Sequence, residues 1–446
     1  RSYELDTSRP DSLYFIGIHY HLEDNKQKAY EYFKRAFEIG YPIHCQYSLK
    51  PTLSFHYLPT FLAQLCYEFM DFDLGERCTK LYMDKNTATA NMYDVMISWY
   101  NIFVHLNRSN YPLTIKLLDA AATKPILCFV ADGGFAPWSG SSILTTGVGG
   151  SETYIIEMAR YIQKNGHFKV IVFCNSLEHT IFEEVEYIPI QHFSPFAKQH
   201  FIHTCIISRF SEYIPVAIHG NVDNIYVVLH DLLPSGLVIP QNNKIKKIFC
   251  LSEWHAGYFI KVFPQFKDIT CPFYYGIDVR GFDGAGKVRS LLLRKTDPEY
   301  GTLVEYSDKF SGIDELTELI RSSPTAHSKV PYKFIYSSFP NRGLLRLLQM
   351  WPKIVERYPQ ANLHIYSDVG GKWVNSIAPE LMVQIRGLLS QMTDLNIHYY
   401  GWTDKLSLAN AWKTSEYWLY PCTFMETFCL TALEAALSKT LAISNG

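Results

Sequence analysis

The chain has 446 residues, a length that predicts two or three domains rather than one compact module. Apolar residues make up 48% of it and charged residues only 19%, which excludes intrinsic disorder and collagen-like or coiled-coil repeats. The 41 Lys and Arg residues nearly balance the 43 Asp and Glu residues, so no overall positive field attracts nucleic acid or an anionic membrane.

The ten cysteines are scattered through apolar surroundings and never form a C-x-x-C pair, which argues against zinc ribbons and redox motifs. Buried free thiols in a reducing compartment are favoured over disulfides, so a cytoplasmic protein is expected. No run of 18 apolar residues occurs, and no membrane span is expected. Because the chain begins at Arg1 and not at Met, it is expected to be a fragment of a longer protein.

Residues 1–122 are predicted to form an all-helical module, because apolar residues recur there at intervals of three and four. Residues 12–42 fit the tetratricopeptide pattern, with small residues such as Gly17 where two helices meet. Residues 61–83 repeat this layout more loosely around Gly75. The module either offers a groove to a partner or only packs against the rest of the chain.

From Lys124 onward, short apolar runs are followed by amphipathic helices, which is typical of parallel strands joined by crossover helices. The strands predicted in the first series are Ile126–Ala131, Lys169–Cys174, Thr204–Ser208, Ile225–Leu229 and Lys247–Leu251. A second series starts at Tyr332, with strands in KFIYSS, LHIYSD, NIHYYG and YWLYPC. The predicted α/β fold therefore has two tandem Rossmann-like doubly wound domains, at 123–280 and 331–446, joined by a linker with an insertion at 281–330.

The first strand leads towards Gly149-Gly150, a glycine pair that opens a predicted helix. Adjacent glycines let a backbone approach a ligand closely, and a helix N-terminus offers free N–H groups to a phosphate or to sugar hydroxyls. From Gly147 the sequence is G-V-G-G-S-E, with Glu152 where a dinucleotide fingerprint needs its third glycine. A Rossmann dehydrogenase is thus disfavoured, and a tight turn without a ligand is the alternative interpretation.

The segment Gly281–Val288 nearly spells the phosphate loop G-x-x-x-x-G-K-[ST]. Val288 stands where the magnesium-binding hydroxyl belongs, and the preceding residues do not form a clean buried-strand pattern. A nucleotide triphosphatase is therefore disfavoured.

Two motifs of the second α/β region contain charged side chains suited to binding a ligand. Arg342-Gly343 follows a predicted strand and starts an amphipathic helix, where a planar guanidinium suits a diphosphate, although a surface arginine that caps a turn is the alternative. Glu426 is predicted at the entry of an apolar helix that starts near Thr427 and carries Glu434 two turns on. Carboxylates accept hydrogen bonds from vicinal hydroxyls, so a sugar ring and a ribose are natural ligands.

These motifs resemble those of the retaining GT-B glycosyltransferases of family 4, over about 320 residues from Ile126 to the end of the chain. The matching segments, in the family's order, are Gly149-Gly150-Ser151-Glu152, Leu229–Asp231, Leu251–Trp254, Tyr275–Asp278, Arg342-Gly343-Leu344, and Glu426 with Glu434. The resemblance implies an enzyme of the hexosyltransferase type. It would transfer a sugar, with retention of configuration, from a nucleotide sugar in an interdomain cleft to a protein, peptide or glycan acceptor.

The resemblance also implies a role for each matching residue. Glu426 would contact donor-sugar hydroxyls, Glu434 the ribose and Arg342 the diphosphate, while the glycine pair would face the donor phosphate and the acceptor. His230 matches the family's active-site histidine, so Glu426 and His230 are the expected catalytic residues. The expected donor-binding residues are Gly149, Gly150, Arg342, Glu426, Thr427, Phe428 and Glu434.

The mechanism that the resemblance implies is a front-side displacement, in which the departing phosphate oxygen takes the acceptor's proton and His230 orients the donor. Leaving-group stabilisation is expected from Arg342 and from helix N–H groups, because the sequence shows no Asp or His cluster suited to a metal. No metal and no cofactor are expected, and the nucleotide sugar is a substrate.

Two departures from the family pattern keep a second interpretation open. Ser337 and its neighbours occupy the place of a second basic residue, and the last domain is expected to be truncated because it ends at Gly446 before the family's final βα units. The leading hypothesis is a glycosyltransferase whose helical repeats recruit the acceptor. The alternative is a catalytically inert, repeat-containing binding scaffold built on a sugar-nucleotide fold.

Overall fold

The structure is a computed structural model, and it describes residues 7–42, 50–117, 124–277 and 329–444. Several predicted features lie outside these residues: Cys45, the boundary at 122 and 123, Asp278, the phosphate-loop-like segment Gly281–Val288, and the expected insertion at 281–330 except its last two residues. The nine cysteines within the described ranges are free thiols.

The N-terminal region is helical. Its helices are Asp11–Leu22 (α1), Lys26–Ile39 (α2), Leu58–Glu68 (α3, preceded by a π-helical turn at Leu53–Tyr57), Phe72–Lys85 (α4) and Tyr93–Arg108 (α5). A Cβ atom on Gly17 would lie 2.6 Å from the ring of Phe33, and one on Gly75 would lie 2.5 Å from the ring of Phe103. The small residues therefore stand where neighbouring helices approach most closely, while the assignment of these helices to tetratricopeptide repeats stays a prediction.

Helix α5 belongs to two hydrophobic cores. Met96 and Phe103 pack with the preceding helices, whereas Ile102 and Leu106 pack with the first β-sheet. Because α5 is shared in this way, the helical region is fused to the first sheet rather than attached by a linker alone. The domain boundary at residue 122 stays a proposal.

The first sheet has the strand order β3-β4-β2-β1-β5-β6-β7-β8 and is parallel except for β3, which pairs antiparallel with β4. Its strands are Ile126–Ala131 (β1), Lys169–Cys174 (β2), Thr180–Phe182 (β3), Val185–Pro189 (β4), Ile202–Ser208 (β5), Val222–Val228 (β6), Ile245–Cys250 (β7) and Thr270–Pro272 (β8). The helices that connect them are Ser142–Thr145 (α6), Gly150–Lys164 (α7), Phe193–Gln199 (α8), Tyr213–His219 (α9) and Glu253–Val262 (α10). All five strands predicted here are confirmed, and β3, β4 and β8 are additional.

The second sheet is entirely parallel and has the order β11-β10-β9-β12-β13. Its strands are Val330–Tyr336 (β9), Asn362–Ile365 (β10), Ile397–Tyr399 (β11), Ser415–Tyr420 (β12) and Leu441–Ser444 (β13). The helices are Leu344–Arg357 (α11), Lys372–Ile377 (α12), Pro379–Gln391 (α13), Lys405–Thr414 (α14) and Leu430–Leu437 (α15). The predicted strands are again present, and β13 is additional.

The parallel strands of each sheet reverse their order at one point, between β1 and β5 in the first and between β9 and β12 in the second. In open α/β sheets, ligands bind beside such a switch point, outside the carboxyl ends of the strands. The two switch points therefore predict where a site should lie on each sheet. The glycine pair follows β1, Arg342 follows β9 and Glu426 follows β12, so three of the sequence motifs lie at these places.

Candidate functional site

One cleft is lined by loops from the carboxyl ends of both sheets, and the residues singled out in the sequence converge on it. Its lining includes every predicted catalytic and donor-binding residue: Gly149, Gly150, His230, Arg342, Glu426, Thr427, Phe428 and Glu434. The structure thus brings together residues as far apart in the sequence as Gly149 and Glu434. Their roles towards a ligand depend on the local geometry.

The glycine loop touches the opposite wall of the cleft. Gly149 caps α7, and a Cβ atom on Gly150 would lie 3.0 Å from Cδ1 of Leu430. Gly147 has a φ of +73°, and a Cβ atom there would collide with the backbone carbonyl of Thr403. The sequence predicts a close approach of this backbone to a ligand. In the structure, the backbone at Gly147 and Gly150 closely approaches Thr403 and Leu430 of the protein itself.

His230 is buried and both of its ring nitrogens are engaged. Its Nε2 lies 2.7 Å from Oγ of Ser208, and its Nδ1 is hydrogen-bonded to the hydroxyl of Tyr275. Burial lowers the pKa of His230 well below its usual value, and the charges of Arg209 and His255 lower it further. The imidazole is therefore neutral, and its geometry suits a residue that holds the cleft wall in place more than one that takes a proton.

Thr427 connects the two walls of the cleft. Its hydroxyl donates to the backbone carbonyl of His230 at 2.7 Å, and its own carbonyl accepts from Oγ of Ser252 at 3.1 Å. Ser252 also caps α10 by accepting from the backbone N–H of His255. The hydroxyl of Thr427 is thus committed to a contact between the two α/β regions.

A second contact across the cleft is aromatic. Phe135, in the loop after β1, stacks on Phe339 with 5.0 Å between ring centroids and 13° between ring planes. Its ring also lies 4.7 Å from that of Trp373 and 5.8 Å from that of Trp402. We refer to these four rings as the aromatic bridge. Phe135, Trp373 and Trp402 are each more than a third exposed, so the bridge lies at the mouth of the cleft.

Arg342 presents a guanidinium to the cleft, and one of its nitrogens has no hydrogen-bond partner among the described residues. Its Cζ lies 3.1 Å from the ring centroid of Phe424, and its Nε lies 3.6 Å from Oε1 of Glu426. Its Nη1 is buried and has no hydrogen-bond partner among the described residues, and the same holds for Oγ of Ser337, which also lines the cleft. Buried polar groups are nearly always hydrogen-bonded, so these two atoms indicate a ligand that carries hydrogen-bond acceptors.

Glu426 lies in a loop and not on a helix. The predicted helix start near Thr427 is wrong, because α15 begins at Leu430 and Cys429 is in an extended conformation. Oε1 of Glu426 accepts from the hydroxyl of Tyr420 at 2.8 Å. Burial, followed by the nearby Cys429 and Glu426, raises the pKa of Tyr420, so this hydroxyl stays protonated as a donor.

Glu434 lies on α15 and is held from two sides. It is only 5% exposed. Its Oε1 lies 3.1 Å from Nζ of Lys405, and its Oε2 accepts from Nε1 of Trp412 at 3.1 Å. The two glutamates therefore reach the cleft from different elements, one from a loop and one from a helix.

Several cleft residues are not identified by the sequence analysis, among them Arg209, Lys405 and Phe424. Arg209 follows β5, has a φ of +66°, donates to Oγ of Ser151 at 3.0 Å and pairs with Asp231 at 2.8 Å. Arg209 comes directly after a predicted strand that lies at a switch point, and this position could have identified it from the sequence. Lys405 and Phe424 have no comparable sequence signal.

Within the described part of the chain, no group of three or more His, Cys, Asp or Glu side chains is arranged to hold a metal ion. Among the described helices, none is long and apolar enough to cross a bilayer.

No family model and no curated protein matches the chain. Among similar solved structures, a glycosyltransferase from Rickettsia africae is 15% identical, with 72% of this chain and 79% of that chain covered and a TM-score of 0.44. Sucrose-phosphate synthase from Thermosynechococcus elongatus is 13% identical, with 71% and 81% covered and a TM-score of 0.47. The Anabaena protein HepE in complex with UDP-glucose is 14% identical, with 72% and 80% covered and a TM-score of 0.45. Similarity this distant assigns no residue role to this chain.

Proposed function

We propose that the chain is a glycosyltransferase that uses a nucleotide sugar as its donor. The observation that carries the proposal is the buried Nη1 of Arg342, which has no hydrogen-bond partner within the described ranges. It lies beside the carboxylate of Glu426, in a cleft at the carboxyl ends of the parallel strands of two sheets. A buried N–H without a partner is costly, and an anionic oxygen would satisfy it best. Glu434 adds a second carboxylate to the same cleft, and both glutamates suit hydroxyl groups. A nucleotide sugar combines a diphosphate with a hydroxylated ring at either end.

In this proposal the second α/β region binds the donor. Arg342 binds the diphosphate, Glu426 the hydroxyls of the transferred sugar and Glu434 the ribose, with Thr427 and Phe428 in the loop between the carboxylates. The first α/β region, with Gly149 and Gly150, faces the acceptor. The N-terminal helices recruit the acceptor, which is a protein, a peptide or a glycan.

The proposed reaction retains the anomeric configuration. The bond between the anomeric carbon and the phosphate oxygen breaks, and the acceptor oxygen forms its bond to the same face of the sugar. The acceptor's proton passes to the departing phosphate oxygen, since His230 has both ring nitrogens engaged and its pKa lies well below the usual value. Arg342 supplies positive charge to the leaving group, so the proposed reaction uses no divalent metal.

The second candidate, an inert binding scaffold, is favoured by one observation. The polar side-chain atoms of His230 and Thr427 are all hydrogen-bonded within the protein. Such a scaffold would bind a nucleotide sugar without turning it over.

Donor hydrolysis in the absence of an acceptor tests the proposal. After a thermal-shift screen with UDP-, ADP- and GDP-sugars, we expect slow release of the nucleoside diphosphate from the stabilising donor, and we expect the same rate in excess EDTA. Glu426→Gln should lower that rate while nucleoside binding is retained, because in this proposal Glu426 contacts the sugar and not the nucleoside. Binding without any hydrolysis would favour the scaffold, and stabilisation by no sugar nucleotide would contradict both candidates.

A further inference from the structure

Helix α14 holds the carboxylate of Glu434 by both of its oxygens. Nζ of Lys405 lies 3.1 Å from Oε1, and Nε1 of Trp412 donates to Oε2 over 3.1 Å. We propose that Lys405 and Trp412 are positioning residues that fix this carboxylate for the two hydroxyls of a ribose. This inference rests on the proposed function and extends it to residues that have no sequence signal.

The local fold explains why these two side chains reach the same carboxylate. Lys405 and Trp412 are seven residues apart on α14, close to two helical turns, so they lie on one face of the helix. Asp404 caps the helix by accepting from the backbone N–H of Ser407 at 2.9 Å, which fixes where α14 begins and thus where Lys405 stands. The face that results packs beside α15, which carries Glu434.

The hydrogen-bonding capacity of the carboxylate matches the proposed ligand. An ionised carboxylate has about four lone-pair sites, two on each oxygen. Lys405 takes one site on Oε1 and Trp412 takes one on Oε2, so with respect to the described residues one site remains on each oxygen. Two remaining acceptor sites, side by side, suit two vicinal hydroxyls, each of which donates one hydrogen bond.

Burial makes the positioning necessary. Glu434 is 5% exposed, and a buried carboxylate without a compensating charge is unfavourable. The side chain of Lys405 is 32% exposed and lines the cleft, so its charge compensates Glu434 at the edge where a ligand enters. Trp412 is fully buried and prevents the carboxylate from rotating away from that edge.

The test measures binding of UDP, ADP and GDP, and of their 2′,3′-dideoxy counterparts, by isothermal titration calorimetry. If Glu434 binds the ribose hydroxyls, the wild-type protein should bind its preferred nucleoside diphosphate about tenfold more tightly than the dideoxy form. A loss of this size is typical of removing hydrogen bonds to a charged group. In Trp412→Phe and in Lys405→Met this preference should fall to nearly one, because the carboxylate is no longer aligned. A general structural effect would weaken both ligands equally and leave the preference unchanged.

The chain offers matched controls for both variants. Trp418 lies in the same core, is 3% exposed, and has an Nε1 without a partner among the described residues. Trp418→Phe removes the same N–H group and should keep the ribose preference. Lys353 is exposed on α11, so Lys353→Met should also keep it, and Lys405→Arg should restore most of what Lys405→Met loses.

The outcomes distinguish a failure of the proposed function from a failure of the positioning role. A wild-type protein that binds none of the three diphosphates would overturn the proposed function and this assignment with it. Binding without a ribose preference, or a preference unchanged in Trp412→Phe and Lys405→Met, would overturn the positioning role alone.

Discussion

A partly buried histidine couples the stability of this protein to pH. His105, on α5, stacks on Tyr213 with 4.3 Å between ring centroids, and burial lowers its pKa to about 4, with the charge of Arg108 as a further cause. The unfolded chain therefore binds a proton at a higher pH than the folded one. The stability that this histidine contributes is present above a pH of about 6.5 and is lost as the pH falls towards 4.

His105→Gln should flatten this dependence. Between pH 7 and pH 5 the free energy of unfolding should fall by about 2 kcal/mol more in the wild-type protein than in the variant. Urea denaturation at the two pH values measures the difference. His167 is exposed, so His167→Gln should follow the wild-type curve, and an identical slope in the wild type and His105→Gln would show that His105 does not titrate in this way.

At the residue scale, much of the cleft follows from the sequence. Arg342 and Glu426 lie in loops that follow predicted strands, and Gly149 opens the helix predicted after the first strand. The carboxyl ends of parallel strands meet at one edge of a sheet. The sequence alone can place such residues at the cleft. It cannot place Lys405 and Phe424, because their importance comes from what they touch, Glu434 and Arg342, and not from their place in a motif.

At the scale of elements, the strands are predicted better than the loops. The spacing of Glu426 and Glu434 fits two helical turns, but the chain keeps residues 421–429 as a loop. Tertiary hydrogen bonds explain this difference, since Thr427 bonds to His230 and to Ser252 across the cleft. Local spacing does not disclose such long-range contacts.

The turn between β9 and α11 gives a sharp test at this scale. Gly343 has a φ of +97°, and a Cβ atom there would lie 2.5 Å from the backbone carbonyl oxygen of Pro421. Gly343→Ala should therefore destabilise the protein by more than about 1 kcal/mol and weaken binding at Arg342, which precedes the turn.

Gly387 is the matched control. It lies inside α13, and a Cβ atom there meets open space among the described residues. Gly387→Ala should stabilise the protein by about 0.5–1 kcal/mol, because alanine loses less entropy in a helix. Denaturation curves that show Gly343→Ala to be as stable as the wild type would contradict the described turn.

At the scale of the whole molecule, aromatic and hydrogen-bond contacts join the two α/β regions across the cleft. The aromatic bridge and the bonds of Thr427 span the cleft, while α5 joins the N-terminal helices to the first sheet. A truncated protein that tests acceptor recruitment should therefore keep α5. The sequence periodicity predicts its helix but not its place in two cores, because both of its faces are apolar.

The aromatic bridge should restrain the cleft. Phe135→Ala removes all three of its ring contacts, so the two regions should separate more often and the radius of gyration from small-angle X-ray scattering should rise. Phe201 is 51% exposed, and Phe201→Ala should scatter as the wild type does. An unchanged radius of gyration in Phe135→Ala would show that other contacts suffice to keep the cleft closed.

The central claim, that this cleft binds a nucleoside diphosphate through Arg342, is tested most directly by calorimetric titration of Arg342→Ala. We expect its affinity for the tightest of UDP, ADP and GDP to fall by about tenfold or more, while the affinity for the corresponding nucleoside stays the same, because only the phosphates lose a charged partner. Arg346→Ala, an exposed arginine four residues further along, should bind as the wild type does. Equal losses for the nucleoside and its diphosphate, or no loss for either, would contradict the account.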